Sequence, residues 1–226
     1  NKVAAFFGLT KELELGKRLP TKNLYVVPKI RGLIADISLR ESDPMPIIDL
    51  RNSKQILNLL NYKDLSKLEN RGMASPDHVI RTKGSPLHIK NTADYQNEKA
   101  LKKHIEGFSN RYIKYFNRQS KKADEKKSIL TADPKHGWLR SIGVIGVGKN
   151  AKEASATADL AEQNLHIRII SEKFGGFFPI KEKDMFDCEY WSLEQAKLGK
   201  GKPPAFEGKV VIITGGAGTI GLETAK

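Results

Sequence analysis

The sequence predicts an α/β chain, in which a layered region of helices and short strands precedes a strand, a glycine-rich loop and the start of a further helix. Three observations support this fold class. Apolar residues recur at helical spacing from Asp94 to Lys121, a helix rich in small residues begins near Ala151, and the β-branched segment 209–214 leads directly into glycines. With 226 residues, 39% of them apolar and 29% charged, the composition is that of a globular chain.

The first quarter of the chain predicts short elements. The apolar run Leu24–Val27 stops at Pro28, and apolar positions between Ile30 and Ile34 could pack one side of a short helix. Residues 46–51 read as a strand, after which Ser53 is a good N-cap for the apolar positions that follow. A second short helix, Tyr62–Asn70, is expected to end at Gly72, because glycine most easily adopts the left-handed cap conformation.

The central region predicts one strand and two long helices. Residues 75–84 read as a turn into a strand, and the helix from Asp94 to Lys121 carries an apolar stripe for packing on a sheet. Apolar runs follow at 128–130 and 138–147. A helix from about Ala151 then ends at Gly175-Gly176 and places Ala154, Ala158, Ala161, Leu165 and Ile169 on one face, where the small alanines indicate close packing.

The last fifty residues divide into a connector and a new element. Residues 177–208 read as an irregular connector with one helical piece, Ser192–Leu198, and a hydrophilic end rich in glycine and proline. We therefore expect domain boundaries that give 1–176, the connector 177–208, and 209–226 as the beginning of a second domain.

The segment 209–221 has the order strand, glycine loop, helix, which a dinucleotide-binding site requires. Gly215 can take the tight turn, Gly218 leaves room for a pyrophosphate at the backbone, and Gly221 lets the helix lie close to the sheet. The amides at the helix start would point at the phosphates. We therefore predict cofactor contacts from a loop that comprises Thr214, Gly215, Gly218, Thr219, Ile220 and Gly221.

The run from Thr214 to Gly221 resembles the glycine fingerprint of short-chain dehydrogenases, with Thr219 where the classical subgroup has glycine. The resemblance implies NAD or NADP as cofactor. The residue that selects between them would follow about 20 positions later, and the Tyr-x-x-x-Lys pair that transfers the proton would follow further on. Both would lie beyond Lys226, so this chain is not expected to carry catalytic residues for hydride transfer.

Three further blocks resemble bacterial fusions of a class II aldolase and a short-chain dehydrogenase, the rhamnulose-1-phosphate aldolase/alcohol dehydrogenase family. They are residues 75–83, 143–149 with the helix after them, and 184–198, the most specific block. The resemblance implies that an aldolase/adducin-like layered region with a mainly antiparallel sheet precedes a Rossmann domain. It also implies an internal fragment of a cytoplasmic, bifunctional, homo-oligomeric enzyme of deoxysugar catabolism that acts on a sugar phosphate and on an aldehyde or alcohol.

Class II aldolases use a divalent metal, usually zinc, held by histidines, to stabilise an enediolate. The resemblance places Ile142 where a metal histidine would stand, and His136-Gly137 matches the family's His-Gly pair in letters but lies six residues too early. We therefore expect no metal ligands in this chain, with those of the parent protein upstream of Asn1.

His78, Arg81 and Lys83 form a separate candidate group. On a strand, Arg81 and Lys83 would share one face and His78 the other, and Arg81 together with His78 could contact a substrate anion. The alternative is a structural ion-pair cluster in which His78 caps a turn.

Charge and cysteine content limit the other functions. The net charge of +13 comes from dispersed lysines, so a solvated surface explains it better than a nucleic-acid site. Cys188 lies between Asp187 and Glu189, whose charges would raise the pKa of its thiol and disfavour a nucleophile. No membrane association is expected. A non-catalytic interaction domain of the aldolase/adducin type, with a vestigial glycine loop, is the remaining alternative.

Overall fold

The computed structural model describes residues 25–40, 45–192 and 211–225. The helices are α1 (Val26–Arg40), α2 (Lys54–Leu59), α3 (Leu65–Leu68), α4 (Pro76–Thr82), α5 (Glu98–Ser120), α6 (Ala151–Ser171), α7 (Glu182–Glu189) and α8 (Thr219–Ala225). The strands are β1 (Ile47–Arg51), β2 (Leu87–Ile89), β3 (His136–Leu139) and β4 (Gly143–Gly148), and two 3-10 turns span Thr92–Gln96 and Glu172–Phe174.

The four strands form one mixed sheet in the order β1-β4-β3-β2. β4 pairs antiparallel with β1 and with β3, whereas β2 pairs parallel to β3. The expected mixture of helices around a small, mainly antiparallel sheet is thus found in the part of the chain that the structure describes. No helix there is long and apolar enough to cross a bilayer.

Two buried clusters lie on opposite faces of the sheet and give the molecule its layers. On one face α1, α5 and α7 pack against Leu87, Ile89 and Ile145. On the other face α2, α3 and α6 pack against Trp138 and Val144. The apolar stripe of α5 (Leu101, Ile105, Phe108, Tyr112 and Tyr115) is buried, which confirms the predicted packing.

Helix α6 lies unusually close to β4. Its predicted face of Ala154, Ala158, Ala161, Leu165 and Ile169 is fully buried. A Cβ at Gly146 would meet the backbone nitrogen of Ala158 at 2.2 Å, and one at Gly148 would meet that of Ala154 at 2.3 Å. Glycine on the strand and alanine on the helix therefore both allow the backbones to approach, which confirms the prediction of close packing.

Several predicted elements were wrong in kind or extent. Residues 76–82 form helix α4 rather than a strand, because Pro76 at the first helical position and Asp77 in the first turn favour a helix N-terminus. α1 begins at Val26 and contains Pro28 in its first turn, where a missing N–H costs nothing.

Two predicted helix ends are confirmed and one helix is shorter than expected. Ser53 caps α2 by accepting a hydrogen bond from the Ile56 amide. Gly175 and Gly176 adopt positive φ after α6. α3 is only four residues long, although Gly72 has the positive φ expected for it.

The stretch assigned to the connector contains an element that the sequence did not predict. Helix α7 occupies Glu182–Glu189, and Phe186 and Tyr190 are buried in the cluster formed by α1 and α5. Of the predicted helical piece Ser192–Leu198, only Ser192 lies within the described residues. The packed unit therefore continues at least to Tyr190.

Candidate functional site

The glycine loop forms two consecutive turns before α8. Gly215 has a φ of +70°, the region that favours glycine. The Gly216 amide donates to the Ile213 carbonyl at 3.2 Å, and the Gly218 amide donates to the Gly215 carbonyl at 2.8 Å. The chain therefore reverses over Ile213–Gly218 and enters the helix at Thr219.

The loop and the first turn of α8 enclose a cleft of about 500 Å³. It is lined by the predicted cofactor residues Thr214, Gly215, Gly218, Thr219, Ile220 and Gly221, together with Ile213 and Thr224. Within the described ranges the amides of Thr219, Ile220 and Gly221 have no backbone acceptor. Amides without acceptors at the start of a helix are the donors that a bound anion would use, and the dinucleotide assignment stays a prediction.

The surroundings of this loop differ from the prediction. Residues 211–213 form no strand within the described part of the chain, and the side chain of Ile212 is 91% exposed. A parallel strand needs neighbours for its backbone groups and its apolar side chains, and none of the described residues pairs with this segment. Gly221 also has a different role from the predicted one, which was to let the helix lie close to a sheet. A Cβ there would lie 2.3 Å from the Gly215 carbonyl oxygen, so this glycine lets the loop fold onto the helix.

The structure does not bring His78 and Arg81 together as a site. Both lie on α4, where His78 is buried and Arg81 is exposed. His78 Nδ1 lies 2.8 Å from Ser75 Oγ, which agrees with the alternative that His78 caps a turn. Burial lowers the pKa of His78. Their predicted placement on opposite faces of a strand was wrong. Anion binding by the exposed Arg81 stays a prediction.

Lys83 has a buried structural position. It ends α4 with a φ of +63°, and its ammonium group donates to the carbonyls of Thr131 and Asp133. The Asp133 carboxylate lies 3.7 Å from the same group, and the Tyr112 ring centroid lies 4.0 Å from it. This arrangement agrees with the ion-pair alternative, because a buried ammonium needs both a counter-charge and acceptors.

Two buried groups next to Trp138 have roles that the sequence did not predict, although His136 was considered there as part of a His-Gly pair. Arg168 on α6 donates to the carbonyls of Leu68, Glu69 and Gly72, and burial lowers its pKa to about 9. His136 Nδ1 donates to the Thr82 carbonyl at 2.9 Å, and burial lowers the pKa of His136 to about 3. Both side chains are neighbours of Trp138.

A third missed group connects α5 with the end of α7. The Tyr112 hydroxyl donates to Glu189 Oε1 at 2.8 Å and lies 2.7 Å from the Tyr190 hydroxyl. Glu189 is fully buried, and its burial raises the pKa of the carboxyl to about 7. The place of Tyr112 in the apolar stripe of α5 was visible in the sequence, but its polar partner was not.

The remaining candidates from the sequence are a metal site, Ile142 and Cys188. No group of three or more His, Cys, Asp or Glu side chains among the described residues could hold a metal ion. Ile142 is fully buried in the turn between β3 and β4. Burial, with Asp187 and Asp184 nearby, raises the pKa of the Cys188 thiol. The direction and the effect of Asp187 were predicted, whereas Asp184 acts here and Glu189 does not.

Comparison with known proteins identifies the packed region. The family model "Aldolase class II, second domain" matches residues 21–198. A curated relative, "Uncharacterized oxidoreductase YuxG" of Bacillus subtilis (strain 168), is 29% identical over 201 residues, which cover 87% of this chain. The chain spans only 28% of that relative's length, and no solved structure matches it. Because the family model covers most of the chain, this protein belongs to the family of class II aldolase second domains.

Proposed function

We propose that this chain is part of a bifunctional enzyme of deoxysugar catabolism. One half would cleave a sugar 1-phosphate to dihydroxyacetone phosphate and lactaldehyde, with a divalent metal such as zinc. The other half would oxidise or reduce an alcohol or aldehyde with NAD or NADP. The described residues of this chain would supply a packed aldolase-type layer and the phosphate-binding loop, rather than catalytic groups.

The observation that carries the proposal is the order of two features in one chain. An aldolase second-domain match ends at residue 198, and a glycine loop whose amides at 219–221 have no described backbone acceptor follows at 214–221. The relative whose alignment covers 87% of this chain, at 29% identity, is named an oxidoreductase, which agrees with a nucleotide loop at this position. When bound, the dinucleotide would supply or accept the hydride, and the loop amides would hold its phosphates.

The test uses the full-length protein and two matched substitutions in the loop. Gly221→Ala places a Cβ 2.3 Å from the Gly215 carbonyl oxygen and should distort the loop, whereas Ala217→Ser adds only a hydroxyl to a residue that already has a Cβ. We expect Gly221→Ala to weaken NAD(H) or NADP(H) binding by about tenfold or more, an effect of about 1.4 kcal/mol in a fluorescence titration. Ala217→Ser should bind as the unmodified protein does.

Retro-aldol cleavage of rhamnulose 1-phosphate is measured on the same two variants. Both should retain it, since the loop lies outside the region that the aldolase model matches. Equal nucleotide affinity in both variants would remove the redox half of the proposal. Absence of cleavage in the unmodified protein would remove the aldolase half, and loss of both activities there would favour the non-catalytic interaction domain.

A further inference from the structure

A groove of about 830 Å³, lined mostly by polar and charged residue types, runs between the outer edge of β2 and one side of α5. The helix side consists of residues that share one face at steps of three and four: Ala100, Lys103, His104, Gly107, Asn110 and Arg111. This face is distinct from the buried apolar stripe of α5. The groove is therefore formed by two elements of the packed unit, and it shares no lining residue with the cleft at the glycine loop.

The floor of the groove is an unpaired sheet edge. β2 is the outermost strand next to β3, and the Ile89 carbonyl accepts from the Arg140 amide on the β3 side. Because backbone groups alternate along a strand, the N–H and C=O of His88 face away from β3. No described residue bonds to these two groups. An edge in this state is a template for another extended segment.

The side chains around this edge are held in place. The His88 ring bonds to Glu69 and packs edge-on against Trp138, with ring centroids 5.8 Å apart. On the opposite side His104 Nε2 lies 2.8 Å from Asp94 Oδ2. These pairs fix the two imidazoles that line the groove, His88 on the strand side and His104 on the helix side.

Three carboxylates (Glu69, Asp94 and Glu106) and three cations (Lys90, Lys103 and Arg111) line the groove, and the charges without a described ion-pair partner are positive. Glu69 lies 3.5 Å from Lys90 and also bonds to His88, and Asp94 bonds to His104. Glu106 lies 3.9 Å from Lys102. Lys103 and Arg111, by contrast, form no ion pair with any residue that the structure describes.

The spacing of these two cations matches an extended chain. Eight residues of α-helix separate Lys103 from Arg111, which places them about 12 Å apart along the axis. In an extended strand, residues four positions apart lie on one face at about 13 Å. Gly107 lies between the two cations, and the Arg111 guanidinium extends over it, 3.6 Å from where a Cβ would stand.

We propose that this groove binds an extended acidic segment of a partner protein, which pairs with the free edge of β2 and places its carboxylates on Lys103 and Arg111. The main-chain bonds to His88 would supply affinity, and the two cations would select an acidic sequence. Strand addition of this kind is a common mode of peptide recognition.

The probe is a fluorescein-labelled peptide of alternating threonine and valine with two glutamates four positions apart, titrated into the full-length protein by anisotropy. We expect saturable binding with a dissociation constant below about 1 mM at low ionic strength. Lys103→Glu and Arg111→Glu should each weaken it by about tenfold or more. Lys114→Glu, the same change on α5 outside the groove, should leave it unchanged.

A steric pair of variants separates binding from folding. A Cβ on Gly107 would meet only the Arg111 guanidinium, at 3.6 Å, so Gly107→Leu should fill the groove without disturbing the helix. Gly32→Leu in α1, where a Cβ would meet nothing within 4 Å, is the matched control. We expect Gly107→Leu to abolish peptide binding with no loss of thermal stability, and Gly32→Leu to bind normally.

Four outcomes would overturn the proposal. One is the absence of saturable binding, and another is equal binding of a peptide with lysines in place of the glutamates. A third is full displacement by millimolar inorganic phosphate, which would indicate a site for small anions. The fourth is self-association that Gly107→Leu abolishes, which would make a second copy of this chain the occupant.

Discussion

Glu189 is an acidic side chain enclosed at the junction of α5 and α7. The Tyr112 hydroxyl donates to its Oε1 at 2.8 Å, and hydrogen bonding to Tyr115 and the positive charge of Lys83 also favour the ionised carboxylate. Burial outweighs these effects and raises the pKa of the carboxyl from its usual 4.5 to about 7. The folded protein therefore binds this proton more tightly than the unfolded chain does.

This pKa predicts that Glu189 makes stability depend on pH. Its contribution is fully present below pH 4.5 and is lost as the pH rises to about 7, because the buried carboxyl must then ionise. Glu189→Gln keeps an acceptor for Tyr112 without the charge. We expect it to raise the free energy of unfolding by about 2–3 kcal/mol at pH 8 and to have little effect at pH 4.5, as measured by urea denaturation.

The control is Glu182→Gln. Hydrogen bonding to Arg118 lowers the pKa of Glu182, so this substitution should reduce stability near neutral pH and lose its effect as the pH falls through the carboxyl range. If the stability difference between Glu189→Gln and the unmodified protein stayed constant from pH 4.5 to pH 8, the buried carboxyl would not titrate as described.

At the scale of elements, the contact between β4 and α6 determines how the sheet is covered. Gly146 and Gly148 alternate with the buried Val147, and their missing side chains admit the helix backbone. The residues that meet them on the helix are Ala154 and Ala158. This contact therefore depends on four small residues rather than on interdigitated large ones.

The contact predicts that Gly146→Ala is severely destabilising. The new Cβ would lie 2.2 Å from the Ala158 nitrogen and 2.5 Å from the Ala154 carbonyl oxygen, so the helix must move away from the sheet. We expect a loss of about 3 kcal/mol or more in the free energy of unfolding. Gly32→Ala, in the open on α1, should be neutral or stabilising by up to about 1 kcal/mol. Similar stability of the two variants would contradict the close packing.

The long elements were predictable from the sequence because each repeats its pattern over several turns. The stripes of α5 and α6 and the cap at Ser53 rest on local spacing and capping chemistry. Residues 75–84 were misread because Val79 and Ile80 suggested a strand, whereas the Ser-Pro-Asp start determines a helix. β2 has only three residues, too few to show alternation.

The polar groups of the interior were not predictable for a different reason. Tyr112 and Glu189 are 77 residues apart, and Arg168 contacts carbonyls 96–100 residues earlier in the chain. Their partners are determined by how the layers pack. A sequence does not show which backbone carbonyls will lie near a given side chain. The glycine loop was found because its residues are adjacent, but the pairing of residues 211–213 depends on strands elsewhere.

At the scale of the whole molecule, the glycine loop contrasts with the packed layers. Val211, Ile212 and Ile220 are exposed by 65%, 91% and 84%, whereas the aldolase-type layers enclose two clusters of buried apolar side chains. A phosphate loop binds well when the flanking strand and helix hold its amides in position.

We therefore expect the isolated 226-residue chain to bind NAD(H) weakly or not at all, and the full-length protein to bind it tightly. Isothermal titration of both proteins under identical conditions measures the difference. A saturable, micromolar affinity in the isolated chain would show that residues 211–225 position the amides without further strands.

Arg168 couples the unfolding of two regions that are distant in the sequence. Its guanidinium is bonded to the chain that leaves α3, so the region from Leu65 to Thr82 and helix α6 share one buried cation. Release of residues 65–82 alone would leave the Arg168 cation buried without its acceptors. Release of α6 alone would leave the carbonyls of Leu68, Glu69 and Gly72 without their donor. Residues 65–82 and helix α6 should therefore unfold in a single cooperative step, whether unfolding is followed by limited proteolysis or by heating. No intermediate should retain only one of them.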